Sequence, residues 1–353
     1  MRLFSSEQVS KYHPDKYADQ ISDAILDALI FMDANCRVAV ETMVKGTTVV
    51  LGGEITTTAK LAPGFFEEVA KRVGAKLKYQ VDQVINLIGT QSPEINQAVS
   101  TGEHLKAGDQ GMMFGFATAD TPSRLPLGFE LANRIIKAIE NDVETNPGTI
   151  LQGDAKTQVT VDQDYASNAG SVHKILVSAC HKPGIDPDVL KTEIRRLITE
   201  GARFLIPNSC ELIVNPAGPW TIGGPIADCG VTGRKIVCDQ YGGYIPVGGG
   251  AFSGKDPTKV DRTAAYMARK VACDILDRFP GLRFCRVQVA YGIGRKYPLS
   301  LQIITSDPKL DELIAKQVQY ADFTPANMIE KLRLREPIYE KLAEGCHFYG
   351  HKW

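Results

Sequence analysis

The strongest chemical signal in the chain is the stretch Gly248-Gly249-Gly250-Ala251-Phe252-Ser253-Gly254-Lys255-Asp256. Glycines let backbone N–H groups approach phosphate oxygens and a lysine adds a point charge, so the stretch reads as a polyphosphate clamp. Gly249 to Lys255 matches G-x-x-x-x-G-K, but Asp256 stands where a phosphate-loop hydrolase needs Ser or Thr for magnesium. Tyr244-Ile245-Pro246-Val247 is also a poor strand to precede such a loop, so a clamp of another type is expected. Lys255 and Lys259 lie four apart at the start of a helix beginning at Val260. Cations there oppose the helix dipole unless an anion is bound. A solvated helix start paired through Asp256 and Asp261 is the alternative.

Three further groups carry compatible chemistry. Asp228-Cys229-Gly230-Val231-Thr232-Gly233-Arg234-Lys235 sets a carboxylate, two glycines and two adjacent cations before the strand-like Ile236-Val237-Cys238; an Arg fork beside a Lys charge suits a phosphate chain. His13-Pro14-Asp15-Lys16 opens a helix, with His13 at the cap and Pro14 at the first helical position. It also offers Asp15 as a hard oxygen ligand for magnesium and His13 and Lys16 toward phosphate. Glu41 and Glu54 stand in apolar strands, where a carboxylate is costly unless exposed on an edge, paired or bound to a cation. Gly153-Asp154-Ala155-Lys156, ahead of a strand, and Gly108-Asp109-Gln110-Gly111 would each alone read as turns.

The elements that must position these groups recur along the chain. Residues 16–32 carry Ile21, Ala24, Ile25, Ala28 and Leu29 at helical spacing, with Asp19, Asp23 and Asp27 on the other side. Strands follow at 37–44 and 47–58, and Pro63 opens a second helix. The order returns as a helix at 129–141, strands at 157–161 and 172–179 and a helix opened by Asp186-Pro187. It returns again as a helix at 260–278, strands at 286–292 and 299–305 and a helix opened by Asp307-Pro308. The three prolines are 124 and 121 residues apart, which implies three α+β units, each a mostly antiparallel sheet with helices on one face. In the hairpin at 37–58, Val49, Leu51 and Ile55 share one face and Val50 and Glu54 the other, so both faces carry apolar content and a homodimer through the sheets is expected.

With 353 residues, 44% of them hydrophobic, and a net charge of -1, the chain has the composition of an ordinary globular protein. That balance gives no general attraction to nucleic acid or to an anionic membrane, and any anionic partner must be met locally. No apolar run approaches the ~18 residues of a membrane helix. Residues 1–15 lack the apolar core of a signal peptide, and a cytoplasmic location is expected. The eight cysteines form no C-x-x-C pair and read as buried thiols. Cys346, His347 and His351 offer a zinc site only weakly, since a structural site wants four ligands.

Taken together, these segments resemble the S-adenosylmethionine synthetase (methionine adenosyltransferase) family. The matching stretches are H-P-D-K at His13, Leu51 to Thr57, S-P-E-I-N-Q at Ser92 to Gln97, G-D-Q-G at Gly108, D-A-K at Asp154, Ile222 to Lys235, and Gly248 to Asp256. The resemblance implies three pseudo-repeated α/β units, 1–100, 107–224 and 225–353, interleaved in space, with sheets packing at a dimer interface and dimers often paired into tetramers. It implies attack of methionine sulfur on C5′ of ATP, then hydrolysis of the bound triphosphate to diphosphate and phosphate. A tripolyphosphatase or ATP-binding relative lacking the methionine step is the alternative.

By the same resemblance His13, Lys156, Arg234, Lys235, Lys255 and Lys259 would be catalytic. Asp154, Trp220, Asp228 and Ala251 would surround ATP together with His13, Lys156, Arg234, Lys235 and Lys255, and Glu54, Gln97, Asp228 and Lys259 would contact methionine. Asp15 and Asp261 would hold two Mg²⁺ ions and Glu41 one K⁺, while residues from about Gln97 to Asp109 resemble a gate over the site. The chain departs from the family pattern at Pro219-Trp220, at Ser10-Lys11-Tyr12 and in a short tail after Tyr349.

Overall fold

The computed structural model describes residues 3–90, 105–162, 172–350 and 353. In the first third, β1 (Leu3–Val9) precedes α1 (Pro14–Met32), the hairpin β2 (Arg37–Lys45) and β3 (Thr48–Thr56), α2 (Phe65–Lys76) and β4 (Gln83–Gly89). The middle third runs β5 (Gly111–Thr118), α3 (Leu127–Thr145), β6 (Leu151–Asp162), β7 (Val172–His181), α4 (Pro187–Arg196) and β8 (Glu211–Val214). The last third has three short elements, α5 (Gly224–Ala227), β9 (Gly230–Val231) and α6 (Ile236–Asp239), then α7 (Val260–Arg278), β10 (Phe284–Tyr291), β11 (Ser300–Thr305) and α8 (Pro308–Ala315). Two short helices, α9 (Pro325–Lys331) and α10 (Tyr339–Leu342), close the chain.

The expected recurrence is present: α1-β2-β3-α2, α3-β6-β7-α4 and α7-β10-β11-α8 repeat one helix–hairpin–helix order. Prolines start α4 and α8 with Asp186 and Asp307 as caps, each carboxylate accepting from a backbone N–H two residues on. At the first helix the cap is His13, whose Nδ1 accepts the Asp15 N–H. The helix α2 starts later than its proline suggests, because Gly64 sits at φ 80° and turns the chain first.

Three sheets result, ordered β4-β3-β2-β9, β1-β6-β7-β8 and β11-β10-β5, antiparallel except where β3 meets β4 and β7 meets β8. Each packs one face on its long helix, α1 on β2, α3 on β6 and α7 on β5 and β10, and the buried apolar side chains form one continuous core. Each sheet also borrows a strand. The middle sheet takes β1 from the first third, the last takes β5 from the middle, and the first takes β9 from the last.

Two local expectations need correction. Ile236, Val237 and Cys238 form α6, not a strand, because the chain turns inward to bury Cys238 and Asp239. Asp154 and Lys156 lie inside β6 and not ahead of it; a bulge between Leu151 and Ala155 hides the strand signal. Gly153 at φ 102° makes that bulge possible, since a Cβ there would stand 2.7 Å from the Tyr12 ring. Finally, the polar side of α1, set apart from the apolar one by periodicity, is itself buried at Asp15, Asp19 and Asp23.

Candidate active site

The aspartates of α1 recur every four residues and therefore share one helix face. Together they accept backbone N–H groups from three incoming segments: Asp15 from Val231 at 3.0 Å and Asp19 from Gly233 at 2.9 Å, Asp23 from Gly254 at 2.8 Å, and Asp27 from Tyr339 and Glu340 at 2.9 and 2.8 Å. The helix is thus a scaffold on which both glycine-bearing loops hang. Hydrophobic periodicity marked these side chains only as non-core, so their role was missed; the spacing of four was the available signal.

At the N-terminal end of this face, Lys235 Nζ lies 2.5 Å from Asp15 Oδ2 and Arg234 lies 3.6 Å from Asp15 Oδ1. Burial opposes ionisation of Asp15, but Lys235 and the Val231 N–H outweigh it and hold the carboxyl below the usual range. Burial, then the charges of Lys235 and Lys156, lowers His13 to about 3. With Nδ1 accepting from Asp15 N–H, its proton resides on Nε2. Lys156, exposed on β6, and Asp228 both act electrostatically on this imidazole.

Beside this group Asp154 is buried, with Oδ2 accepting from Gly224 N–H at 2.7 Å and Oδ1 without a hydrogen-bond partner among the described residues. Burial raises it to about 6 against the opposing Gly224 N–H and Lys156. Trp220 is pinned by two hydrogen bonds: its indole N–H donates to Ile222 O at 2.8 Å and its carbonyl accepts the His181 N–H at 2.9 Å.

At the other end, Lys255 Nζ is 2.6 Å from Asp261 Oδ2 and Lys259 Nζ is 2.6 Å from Asp256 Oδ2. The alternative expectation for this helix start, pairing through Asp256 and Asp261, is what the structure contains. Asp256 is fully buried and also takes Thr258 and the Val38 N–H; burial opposes these contacts, yet with Lys259 leading they hold it below the usual range. The loop lies tight on its surroundings, since a Cβ on Gly250 would meet Asp261 at 2.3 Å and one on Gly248 would meet Met112 O at 2.2 Å.

Glu41 and Glu54 project from β2 and β3 on the outer face of the first sheet, both exposed. These strands are interior to the sheet, so neither glutamate stands at an edge. With Ala251, Lys255 and Gly233 they line a cavity of about 650 Å³. A larger cleft of about 900 Å³ lies between α3 and α4, lined by Asp142 and Arg196, and contains none of the expected site residues. The two ends of the site meet where Ala251 fills the space a Cβ on Gly233 would need, 2.5 Å away. Gln97, and the part of the expected gate up to residue 104, lie outside the described residues.

Among the described residues no three His, Cys, Asp or Glu side chains gather into a metal cage. Single carboxylates such as Asp15 and Asp261 nonetheless fit Mg²⁺, which is usually held by one or two carboxylates together with substrate phosphates. Of the weak zinc reading at the C-terminus, Cys346 donates to Gln240 O and His347 Nδ1 pairs with the Tyr266 hydroxyl, while His351 lies outside the described residues.

Comparison with known proteins gives a consistent result. Family models for the N-terminal, central and C-terminal domains of S-adenosylmethionine synthetase match residues 1–101, 104–220 and 222–353. The S-adenosylmethionine synthase of Pseudothermotoga lettingae is 43% identical over 98% of this chain and 93% of that protein. That of Desulfosudis oleivorans is 40% identical over 98% and 92%. The solved structure of an unusual S-adenosylmethionine synthetase from Campylobacter jejuni superposes with a TM-score of 0.86 at 32% identity, covering 100% of this chain and 95% of that one.

Proposed function

The chain belongs to the S-adenosylmethionine synthetase family, and from that premise we propose how its own residues join ATP to L-methionine. It is a methionine adenosyltransferase, forming S-adenosylmethionine. The sulfur of methionine attacks C5′ of ATP in line, the S–C5′ bond forms as the C5′–O bond breaks, and triphosphate leaves to be hydrolysed to diphosphate and phosphate. Thioether sulfur carries no proton, so no general base is required; the barrier lies in alignment and in the charge growing on triphosphate.

The observation that carries the residue assignment is that Lys235 and Lys255 each stand within 2.6 Å of a carboxylate, Asp15 and Asp261, on loops hung from one helix. Both pairs would be able to open toward the substrate, Lys235 and Lys255 turning their ammonium groups to triphosphate oxygens and freeing Asp15 and Asp261 as the carboxylates that would hold Mg²⁺. Bound Mg²⁺ adds positive charge to the triphosphate oxygens. Asp15 and Asp261 would hold two such ions and Glu41 would hold a K⁺. His13 donates from Nε2 to the triphosphate near the breaking bond, and Lys156, Arg234, Lys235, Lys255 and Lys259 neutralise it. Asp154, Trp220, Asp228 and Ala251 surround ATP, while Glu54, Gln97, Asp228 and Lys259 contact methionine.

The units 1–100, 107–224 and 225–353 are read as interleaved spatial domains, and the cyclic exchange of β1, β5 and β9 supports this. A homodimer with shared sites is supported by the outer face of the first sheet, where Met43, Val50 and Ile85 align across three strands and Leu87 is 67% exposed. Leu87→Asp is expected to shift the mass seen by light scattering toward the monomer; the wild type in the same run shows whether dimers pair into tetramers. A cytoplasmic location accords with the absence, among the described residues, of a helix long and apolar enough to cross a membrane.

The test is incubation with ATP, methionine, Mg²⁺ and K⁺, read by mass spectrometry. S-adenosylmethionine with equimolar phosphate and diphosphate is expected. Triphosphate cleavage without the sulfonium product would support a phosphohydrolase that lacks the methionine step.

A further inference from the structure

Arg262 and Asp23 are both buried, with fully inaccessible side chains, and pair through two guanidinium nitrogens. A buried pair of this kind adds little stability over apolar side chains of similar volume. Its remaining hydrogen bonds show another use. Asp23 Oδ1 accepts the Gly254 N–H at 2.8 Å, and Arg262 Nη1 donates to the Lys255 carbonyl at 3.0 Å. The pair therefore holds the backbone on both sides of the bond between Gly254 and Lys255.

The opposite side of the same stretch is held by β2. Gly254 O accepts the Val40 N–H, Asp256 N–H donates to Val38 O, and Ala39 and Lys255 form an antiparallel bridge. Contact is so close that a Cβ on Gly254, at φ 80°, would stand 1.9 Å from Val40 O. The guanidinium is itself set by Tyr266, whose hydroxyl accepts from Nε at 3.0 Å, and by the Tyr339 ring 4.4 Å from its carbon.

We infer that Asp23 and Arg262 form a positioning pair for Lys255, clamping its backbone so that its ammonium stands where the leaving group develops charge. The inference rests on the assignment of Lys255 to the triphosphate made above. Lysine has four carbons of freedom, and a point charge that wanders loses most of its value in a preorganised site.

The experiment is a double-mutant cycle on the full-length enzyme. Arg262→Lys keeps the charge but removes the fork that reaches both Asp23 and the Lys255 carbonyl. It is expected to lower kcat about tenfold or more while methionine KM stays within about twofold, the pattern of an interaction made in the transition state. In a Lys255→Ala background the same change is expected to cost less than about twofold, because the group it positions is gone. If Arg262→Lys does not fold, Tyr266→Phe loosens the guanidinium without orphaning a charge, and its smaller loss should vanish in the same background. Equal losses in both backgrounds, with Lys255→Ala impaired, would overturn the positioning role alone. A Lys255→Ala enzyme at full rate would overturn the assignment of Lys255 itself and this inference with it.

Discussion

Lys16→Met tests the physical account of the scaffold most directly. Lys16 is 0% exposed and bridges Asp19 at 3.0 Å and Asp239 at 2.6 Å, so it ties α1 to the end of the segment carrying Arg234 and Lys235. Burial, joined by the charges of Asp19 and Asp23, pushes Asp239 up to about 7 even with Lys16 opposing it, and burial raises Asp19 as well. Removing the ammonium leaves buried carboxylates uncompensated, at a cost of about 3–5 kcal/mol. The sign with pH follows from linkage. A carboxyl whose folded pKa lies above its unfolded value binds a proton in the native state first, so stability is lost as pH rises through the folded value. In the variant both carboxyls move higher still, and the deficit grows by about 1.4 kcal/mol per pH unit for each one held protonated only when folded. Urea unfolding at pH 5.5, 6.5, 7.5 and 8.5 reads this (pH values at roughly unit steps suffice). His347 Nε2 is 3.9 Å from Asp239, so the series is repeated in His347→Gln as a control. Lys16→Met with Asp19→Asn and Asp239→Asn should recover most of the loss. A deficit that stays constant with pH, or no deficit, would refute the reasoning.

Other expectations are more local. Lys255→Ala should lower turnover by about a hundredfold, the scale of losing one preorganised contact to developing charge, with the unfolding midpoint unchanged; an unaffected rate would remove Lys255 from the site. Glu41→Gln should weaken activation by K⁺ while leaving the Mg²⁺ dependence alone, and a variant still fully responsive would make Glu41 a strand residue only. In the free enzyme His13 should remain neutral from pH 5 to 8, given its lowering to about 3 by burial and by Lys235 and Lys156. Nitrogen NMR of its ring should show Nδ1 unprotonated throughout, and a titration near pH 6.5 would contradict the buried, Lys-flanked geometry.

Much of the candidate site was legible because the chemistry proposed for it depends on residue types that are costly elsewhere. Glycines beside lysines in 248–255, and a His-Pro-Asp helix start, are poor packing choices and so stand out as function. The repeat was legible because Pro187 and Pro308 follow capping aspartates whose roles are local. What periodicity could not reveal was the fate of Asp19 and Asp23. A polar helix face reads as solvated unless something arrives to cover it, and here the cover comes from residues 233 and 254, more than two hundred positions away. The strand reading of Ile236 to Cys238 failed for a related reason: a short apolar run has no period of its own, and burial of Asp239 against Lys16 decides its shape.

The cyclic loan of strands has a consequence for how the chain is made. The first sheet cannot complete itself until β9 has been synthesised, and β1 must wait for β6 before it has a partner. At roughly 5–20 residues per second, a delay of about 190 residues between β2 and β9 leaves an apolar sheet edge open on the ribosome for about 10 to 40 seconds. Pairings this distant in sequence also form slowly once the chain is free. None of the three thirds is a self-sufficient folding unit, so a nascent chain of this protein depends on protection from aggregation until nearly all of it exists.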